Sequence, residues 1–206
     1  ISEATQAPIL IRQTSTTANT CGPVPICKLV PIERKPTLPD DLDRYTKVSA
    51  LACQQQHTDA LKRLAEAGKA FDHWNTYKQG SSRLGIIGAG SVWPYVEECL
   101  LSRNAESFHQ LRATVVNPLP DEKLLALLSN CDHVLVVEEL EPLIEQHVRA
   151  LAQAHRLDVE IMGKRDGLFS EVGDLDPDKV GYAICRDDLQ LATHVKLKVL
   201  REGISI

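Results

Sequence analysis

Between residues 84 and 163 four short apolar runs alternate with three longer amphipathic runs, and this alternation constrains the fold more than any other feature of the chain. The apolar runs cover 84–87, 113–116, 133–137 and 159–161. They are rich in Val and Ile and bounded by Gly, Pro or Asn. Strands that are apolar on both faces and joined through helices belong to a parallel sheet with helices on both sides. The spacing predicts helices over 92–102, 121–129 and 142–154, with Leu124, Leu125, Leu127 and Leu128 of the second turned inward. Leu143, Ile144, Val148 and Leu151 form the apolar stripe of the third.

The rest of the chain reads as an approach to this unit and an exit from it. Residues 1–7 look like the end of a helix, and Pro8-Ile9-Leu10-Ile11-Arg12 like a buried strand that emerges at its arginine. The Ser/Thr-rich run 13–20 suits a loop or a helix cap, with an anion-binding strand end as the alternative. Five prolines between 21 and 48 make an extended linker. Its apolar residues (Val24, Ile26, Leu29, Val30, Ile32) are expected to pack along a neighbour. Residues 49–79 read as helix, with Leu61, Leu64, Phe71 and Trp74 on one face and Gly80 just beyond its end. After 161 comes a glycine-containing loop, then a helix over 177–188 starting at Pro177. The alternating tail 194–200 suggests an edge strand.

A formal charge of -5 and the absence of a basic stripe argue against binding driven by nucleic-acid phosphates. No run of about 18 apolar residues is present to span a bilayer, and no secretory leader is evident. The six cysteines form no C-x-x-C pair. They read as reduced thiols of a cytoplasmic protein, with pairing of Cys21 and Cys27 as the minor alternative. The histidines lack metal-site spacing, so no metal site is expected.

Two places carry candidate chemistry. The first is Gly88-Ala89-Gly90-Ser91, between the first strand and its helix. Free N–H groups at such a turn suit an anion, which makes Gly88, Gly90 and Ser91 candidate cofactor-binding residues. The dinucleotide fingerprint G-x-G-x-x-G is incomplete, because Trp93 stands where its third glycine belongs. A tight strand-to-helix turn without a ligand is the preferred reading of these glycines, with an anion or partner contact as the alternative. The second place is Glu138-Glu139-Leu140-Glu141, at the exit of the third strand. Paired acids there serve proton transfer, or else cap the next helix or make an interface salt bridge, the reading preferred for Glu138 and Glu141. No residue is a candidate for a catalytic role.

The segments LGIIGAGSVWPYVEECL, NPLPDEKL, HVLVVEELEPLIEQHVRALA and MGKRDGLFSEVGDLDPDKV, in this order, resemble the alpha subunit of indolepyruvate ferredoxin oxidoreductase, a thiamine-diphosphate-dependent 2-oxoacid oxidoreductase. SEATQAPILIRQTSTTANT is similar to the end of that family's pyrimidine-binding domain, with Thr16 and Asn19 where the family pattern has Arg and His. The resemblance implies an internal fragment: residues 1–20 a remnant of the pyrimidine domain, 21–48 the linker, 189–206 a tail. Residues 49–188 would be a parallel-sheet three-layer α/β domain, with its leading helix, like the transketolase C-terminal domain. It implies a parent enzyme that oxidatively decarboxylates an aryl 2-oxoacid to an acyl-CoA. That enzyme uses thiamine diphosphate, Mg²⁺, iron–sulfur clusters and coenzyme A, with ferredoxin as acceptor and a second subunit. The C-P-G-C and G-D-G…N segments of the cofactor domain are absent from these residues, so the fragment itself is expected to bind no cofactor, to be inactive, and to serve structure and interface. The alternatives are a module that holds a coenzyme A or nucleotide phosphate at the glycine turn, a purely architectural oligomerising module, and a stand-alone regulatory protein.

Overall fold

The structure is a computed structural model that describes residues 2–26, 28, 31, 33, 35, 40, 45–101 and 105–191. The chain divides into two compact units, one ending at Asp72 and one beginning at His73.

The first unit holds helices α1 (Ser2–Thr5), α2 (Ser15–Asn19) and α3 (Ala50–Phe71). Thr14 caps α2 by accepting from the Thr17 N–H, so the Ser/Thr run forms the expected cap. Ser49 caps α3 through the Ala52 N–H at 3.0 Å. Arg63 on α3 donates to the Gln6 carbonyl at 2.8 Å, which ties α1 to α3. Residues 8–12 do not form the expected buried strand: the backbone is irregular and Leu10 is 96% exposed. A strand needs a neighbour for its N–H and C=O groups, and no strand occurs among the described residues of this unit. Val24 and Ile26 of the linker are exposed, while Leu29, Val30 and Ile32 lie outside the described residues. Leu61 and Leu64 are exposed on α3.

The second unit contains a five-stranded sheet in the order β1-β3-β2-β4-β5. Its strands are β1 (Thr76–Lys78), β2 (Leu84–Ala89), β3 (His109–Ala113), β4 (His133–Val137) and β5 (Glu160–Met162). All neighbours are parallel except β1, which runs antiparallel to β3 at the edge. The long helix therefore stops before 79. Thr76 and Tyr77 are residues that suit a pleated surface, and they enter the sheet instead.

Helices α4 (Trp93–Leu101) and α7 (Pro177–Leu191) pack on one face, and α5 (Asp121–Leu128) and α6 (Leu143–Ala154) on the other. The two-residue pleat sorts the strand residues between these layers. Leu84, Ile86, Leu135 and Val137 meet α4 and α7, while Ile87, Val134 and Val136 meet α5 and α6. This is the expected three-layer α/β domain. Each fully buried aliphatic side chain contributes about 1.5–3 kcal/mol of transfer free energy, and the core contains Ile87, Leu111, Leu124, Leu127 and Val148 at 0% exposure.

The second strand of the predicted series is displaced. It was expected at 113–116 but forms at His109–Ala113 and shares only Ala113. Three polar residues mask it, and two of these, buried, are satisfied locally. His109 Nδ1 faces Tyr77 Oη at 3.0 Å and its Nε2 faces the Ser82 carbonyl, while Gln110 donates to the Ala105 carbonyl. Asn75 Oδ1 then accepts from both Thr114 N and Val115 N at 2.9 Å, which ends the ladder where the apolar run begins. The last strand is offset from its expected place by one residue.

The link from β1 to β2 crosses the entrance of β3. Ser81 N and Ser82 N donate to the Ser107 carbonyl. A Cβ at Gly80 would lie 2.3 Å from the Phe108 carbonyl carbon, so only glycine fits this crossing. The alternating tail 194–200 lies outside the described residues.

Candidate functional site

In an open α/β sheet, ligands settle where adjacent strands send their connections in opposite directions. Here β2 leads to β3 on one side and β4 leads to β5 on the other, so the crevice lies between the exits of β2 and β4. The sequence places its two candidate groups at these two exits.

The exit of β4 is filled by the chain itself. Glu138, 5% exposed, accepts from the Ile144 and Glu145 N–H groups at 2.8 Å each and caps α6. Burial pushes its carboxyl above the ordinary range, partly offset by these two N–H groups. Glu139 accepts from Leu175 N at 3.3 Å. The loop 163–176 thus lies over the strand end, with Phe169 and Leu175 buried in the core beneath α4 and α7. The capping alternative for Glu138 is the one realised, and Glu139 anchors the loop.

A third carboxylate, not singled out from the sequence, does most of the joining. Glu145 is fully buried and accepts from Lys164 N at 2.7 Å, from Arg165 N, and from Arg149 Nε at 2.9 Å. Arg149 Nη2 continues to the Ile161 carbonyl and to Asp166 Oδ2, both at 2.6 Å. Gly163 permits this approach, since a Cβ there would meet Glu145 Oε2 at 2.5 Å. Lys164 is itself buried and donates to the Ser170 carbonyl. Desolvation lowers its pKa, opposed by the surrounding glutamates. The i,i+4 spacing of Glu145 and Arg149 is the sequence signal for this network.

The exit of β2 is arranged differently. Gly88 has no Cβ because the Trp93 ring occupies its space: an added Cβ would lie 2.9 Å from Trp93 Cε3. Trp93 is 3% exposed and donates from Nε1 to Glu97 Oε1 at 2.8 Å. The missing third glycine of the fingerprint is thus replaced by an aromatic ring seated on the first. Gly90 has φ +66, a conformation that suits glycine, and open space where a Cβ would be. Ser91 is half-buried in the 3-10 turn Gly90–Val92 that leads into α4. The structure therefore brings Gly88, Gly90 and Ser91 together at one strand end, with Gly88 taken up by packing.

Elsewhere, Cys21, Cys53, Cys99 and Cys131 are free thiols. Burial pushes the Cys131 thiol up to about 12. Among the described residues, no group of three or more His, Cys, Asp or Glu side chains is placed to hold a metal ion, and no helix is long and apolar enough to cross a membrane.

No protein-family model matches the chain. Over 187 residues, 89% of this chain, it is 29% identical to the indolepyruvate oxidoreductase subunit IorA of Methanothermobacter thermautotrophicus. The chain is homologous to IorA. The IorA of Pyrococcus abyssi is 34% identical over 83 residues, 40% of this chain. The chain spans 30% of the length of the Methanothermobacter IorA subunits it matches. A 2-oxoglutarate:ferredoxin oxidoreductase from Magnetococcus marinus, solved with 2-oxoglutarate, coenzyme A and succinyl-CoA bound, shares the fold at a TM-score of 0.50 and 16% identity. That match covers 68% of this chain and 24% of the other. The resemblance read from the motifs is thus matched by IorA along most of the chain, and the α/β fold by a 2-oxoacid oxidoreductase.

Proposed function

We propose that residues 1–206 form a structural and interface region of a larger 2-oxoacid oxidoreductase that oxidatively decarboxylates an aryl 2-oxoacid such as indolepyruvate. The reaction yields an acyl-CoA and passes electrons through iron–sulfur clusters to ferredoxin. The observation that carries this reading is the co-linear similarity to IorA over 187 residues, combined with a sheet crevice in which Glu138, Glu139 and Glu145 accept from the chain's own backbone N–H groups.

That commitment is also a test of cofactor fit. Thiamine diphosphate needs a divalent ion and oxygen ligands to hold it. Glu138, Glu139 and Glu145 have their oxygens turned to N–H groups of 144, 145, 164, 165 and 175. The described residues do not fit that group, so thiamine diphosphate, Mg²⁺ and the iron–sulfur clusters are assigned to other domains or to a second subunit. No catalytic step is assigned to this region. Its part is to hold neighbouring domains in register. In the domain boundaries we propose, 1–20 completes a preceding pyrimidine-binding domain and 21–48 is the linker. The exposed run of Ile9, Leu10 and Ile11 supports the first of these, as a strand that finds its partners in that domain.

The experiment is an assay of the intact polypeptide with its partner subunit. Indolepyruvate with coenzyme A should reduce a viologen dye, and residues 1–206 alone should not. Turnover only with a non-2-oxoacid substrate would overturn the enzyme reading, and turnover by residues 1–206 alone would overturn the structural one. A second reading has Gly90 and Ser91, with Gly88 behind them, contact a phosphate of coenzyme A or a nucleotide. The open space at Gly90 favours it. A thermal shift with millimolar coenzyme A supports it, and no shift sinks it.

A further inference from the structure

An aspartate followed by glycine is the place where a polypeptide most readily modifies itself, because glycine offers its amide nitrogen with no Cβ to shield it. This step occurs once in the sequence, at Asp166-Gly167, and Asn-Gly does not occur. It lies in the loop 163–176, and the Asp166 side chain is 49% exposed, so water reaches it. Both reacting groups are nevertheless held. Asp166 Oδ2 accepts from Arg149 Nη2 at 2.6 Å. The Gly167 N–H donates to the Lys164 carbonyl at 2.9 Å, and the Leu168 N–H to the Gly163 carbonyl at 3.1 Å. Gly167 sits at φ +70 with open space where a Cβ would be, so the turn's conformation, not crowding, calls for glycine there. Arg149 is itself fixed, since its Nε donates to Glu145 Oε1 at 2.9 Å and Glu145 is fully buried. A buried carboxylate thus aims a guanidinium at an exposed one.

We infer that Asp166 is a self-modification site, a succinimide-forming aspartate that the fold holds shut through Arg149 and the Lys164 carbonyl. In the reaction Gly167 N bonds to Asp166 Cγ while one Cγ–O bond breaks. That oxygen leaves as water, with the amide proton and one proton from solvent. The ring then takes up one water and returns a proton. Attack at the side-chain carbonyl restores aspartate. Attack at the main-chain carbonyl leaves isoaspartate, with one more methylene in the backbone. No electrons are transferred, and water is the sole co-reactant. Closure requires the Gly167 amide to leave the Lys164 carbonyl and Cγ to turn onto it, and the charge-assisted bond from Arg149 opposes that turn. Isoaspartate here would displace the turn whose Lys164 and Arg165 N–H groups meet Glu145, so one slow event loosens the β4 end.

The test is to age the intact polypeptide near neutral pH, both folded and in urea. Asp166 is read by peptide mass spectrometry, and isoaspartate by labelling with a protein isoaspartyl methyltransferase. In urea, succinimide (lighter by one water) and then isoaspartate are expected at Asp166. The folded native protein should form them far more slowly. Folded Arg149→Met should form isoaspartate about tenfold faster than the folded native protein, the ratio set by losing one charge-assisted hydrogen bond. Circular dichroism checks that the variant folds, and Arg149→Lys takes its place if it does not. Absence of isoaspartate at Asp166 in urea overturns the inference. So do equal rates in the folded and unfolded native protein, or a folded Arg149 variant no faster than the native protein.

Discussion

The exits of β2 and β4 occupy equivalent positions on either side of one crevice, and they are built by opposite means. At β4 the end is polar and closed: three buried or half-buried glutamates, each with its oxygens on backbone N–H groups, bind α6 and the loop 163–176. At β2 the end is nearly free of polar side chains, and is shaped by an indole lying on a glycine and a second glycine with open space around it. Location on a fold therefore does not tell whether a charged group serves chemistry or architecture. The count of its satisfied hydrogen bonds does, because a carboxylate already saturated by N–H donors is a poor base and a poor ligand.

The sharpest way to break this contrast is Glu145→Ala. Removing it strands Lys164 N, Arg165 N and Arg149, and urea unfolding should show a loss of roughly 3–5 kcal/mol. A loss under about 1 kcal/mol would mean the β4 end is not held by charge. On the β2 side, Gly88→Ala forces a methyl against the Trp93 ring and should cost about 1–3 kcal/mol. In a double-mutant cycle with Trp93→Leu the cost should shrink, and additivity would show that the ring is not the obstacle. Gly90→Ala meets open space but a positive φ, so its cost should be about 1 kcal/mol and insensitive to Trp93.

The smallest effect expected is one of pH. Glu138 has a folded-state pKa above its ordinary 4.5, so the folded state holds this proton more tightly than the unfolded one. Its contribution favours folding below the unfolded value and is lost as pH rises through the folded value. Relative to Glu138→Gln, the native protein should lose stability over that interval, as denaturant melts across the acidic range would show. A parallel pair of pH profiles would remove burial as the dominant influence on Glu138.

Much of this was legible in the residues. β4 is uninterrupted by charge and was placed correctly, and β2 was located though it runs two residues further. Glu138 was read as a cap or an interface salt bridge, the cap because Pro142 follows it near a helix start. β3 was misplaced because His109, Gln110 and Arg112 break its apolar pattern, and the partners that bury His109 come from 77 and 82, which no local window contains. Glu145 was missed for a related reason. On its helix it looks like an ordinary first-turn acid, and only the return of the chain at Gly163 buries it. Pattern reads burial by neighbours in sequence; these residues are buried by neighbours in space.

The crossing at Gly80 has a consequence for how the domain is assembled in time. β1 ends at Lys78 and β2 begins at Leu84, a separation that would suit a local hairpin, yet β3 stands between them. The quickest contact available to a growing chain is thus a wrong one, and β1 must wait until a segment made some thirty residues later has arrived. A strand that waits is exposed longest. In pulse-labelled hydrogen exchange during refolding, the amides of 76–78 should gain protection after those of 84–89, and the reverse order would mean that the edge forms first.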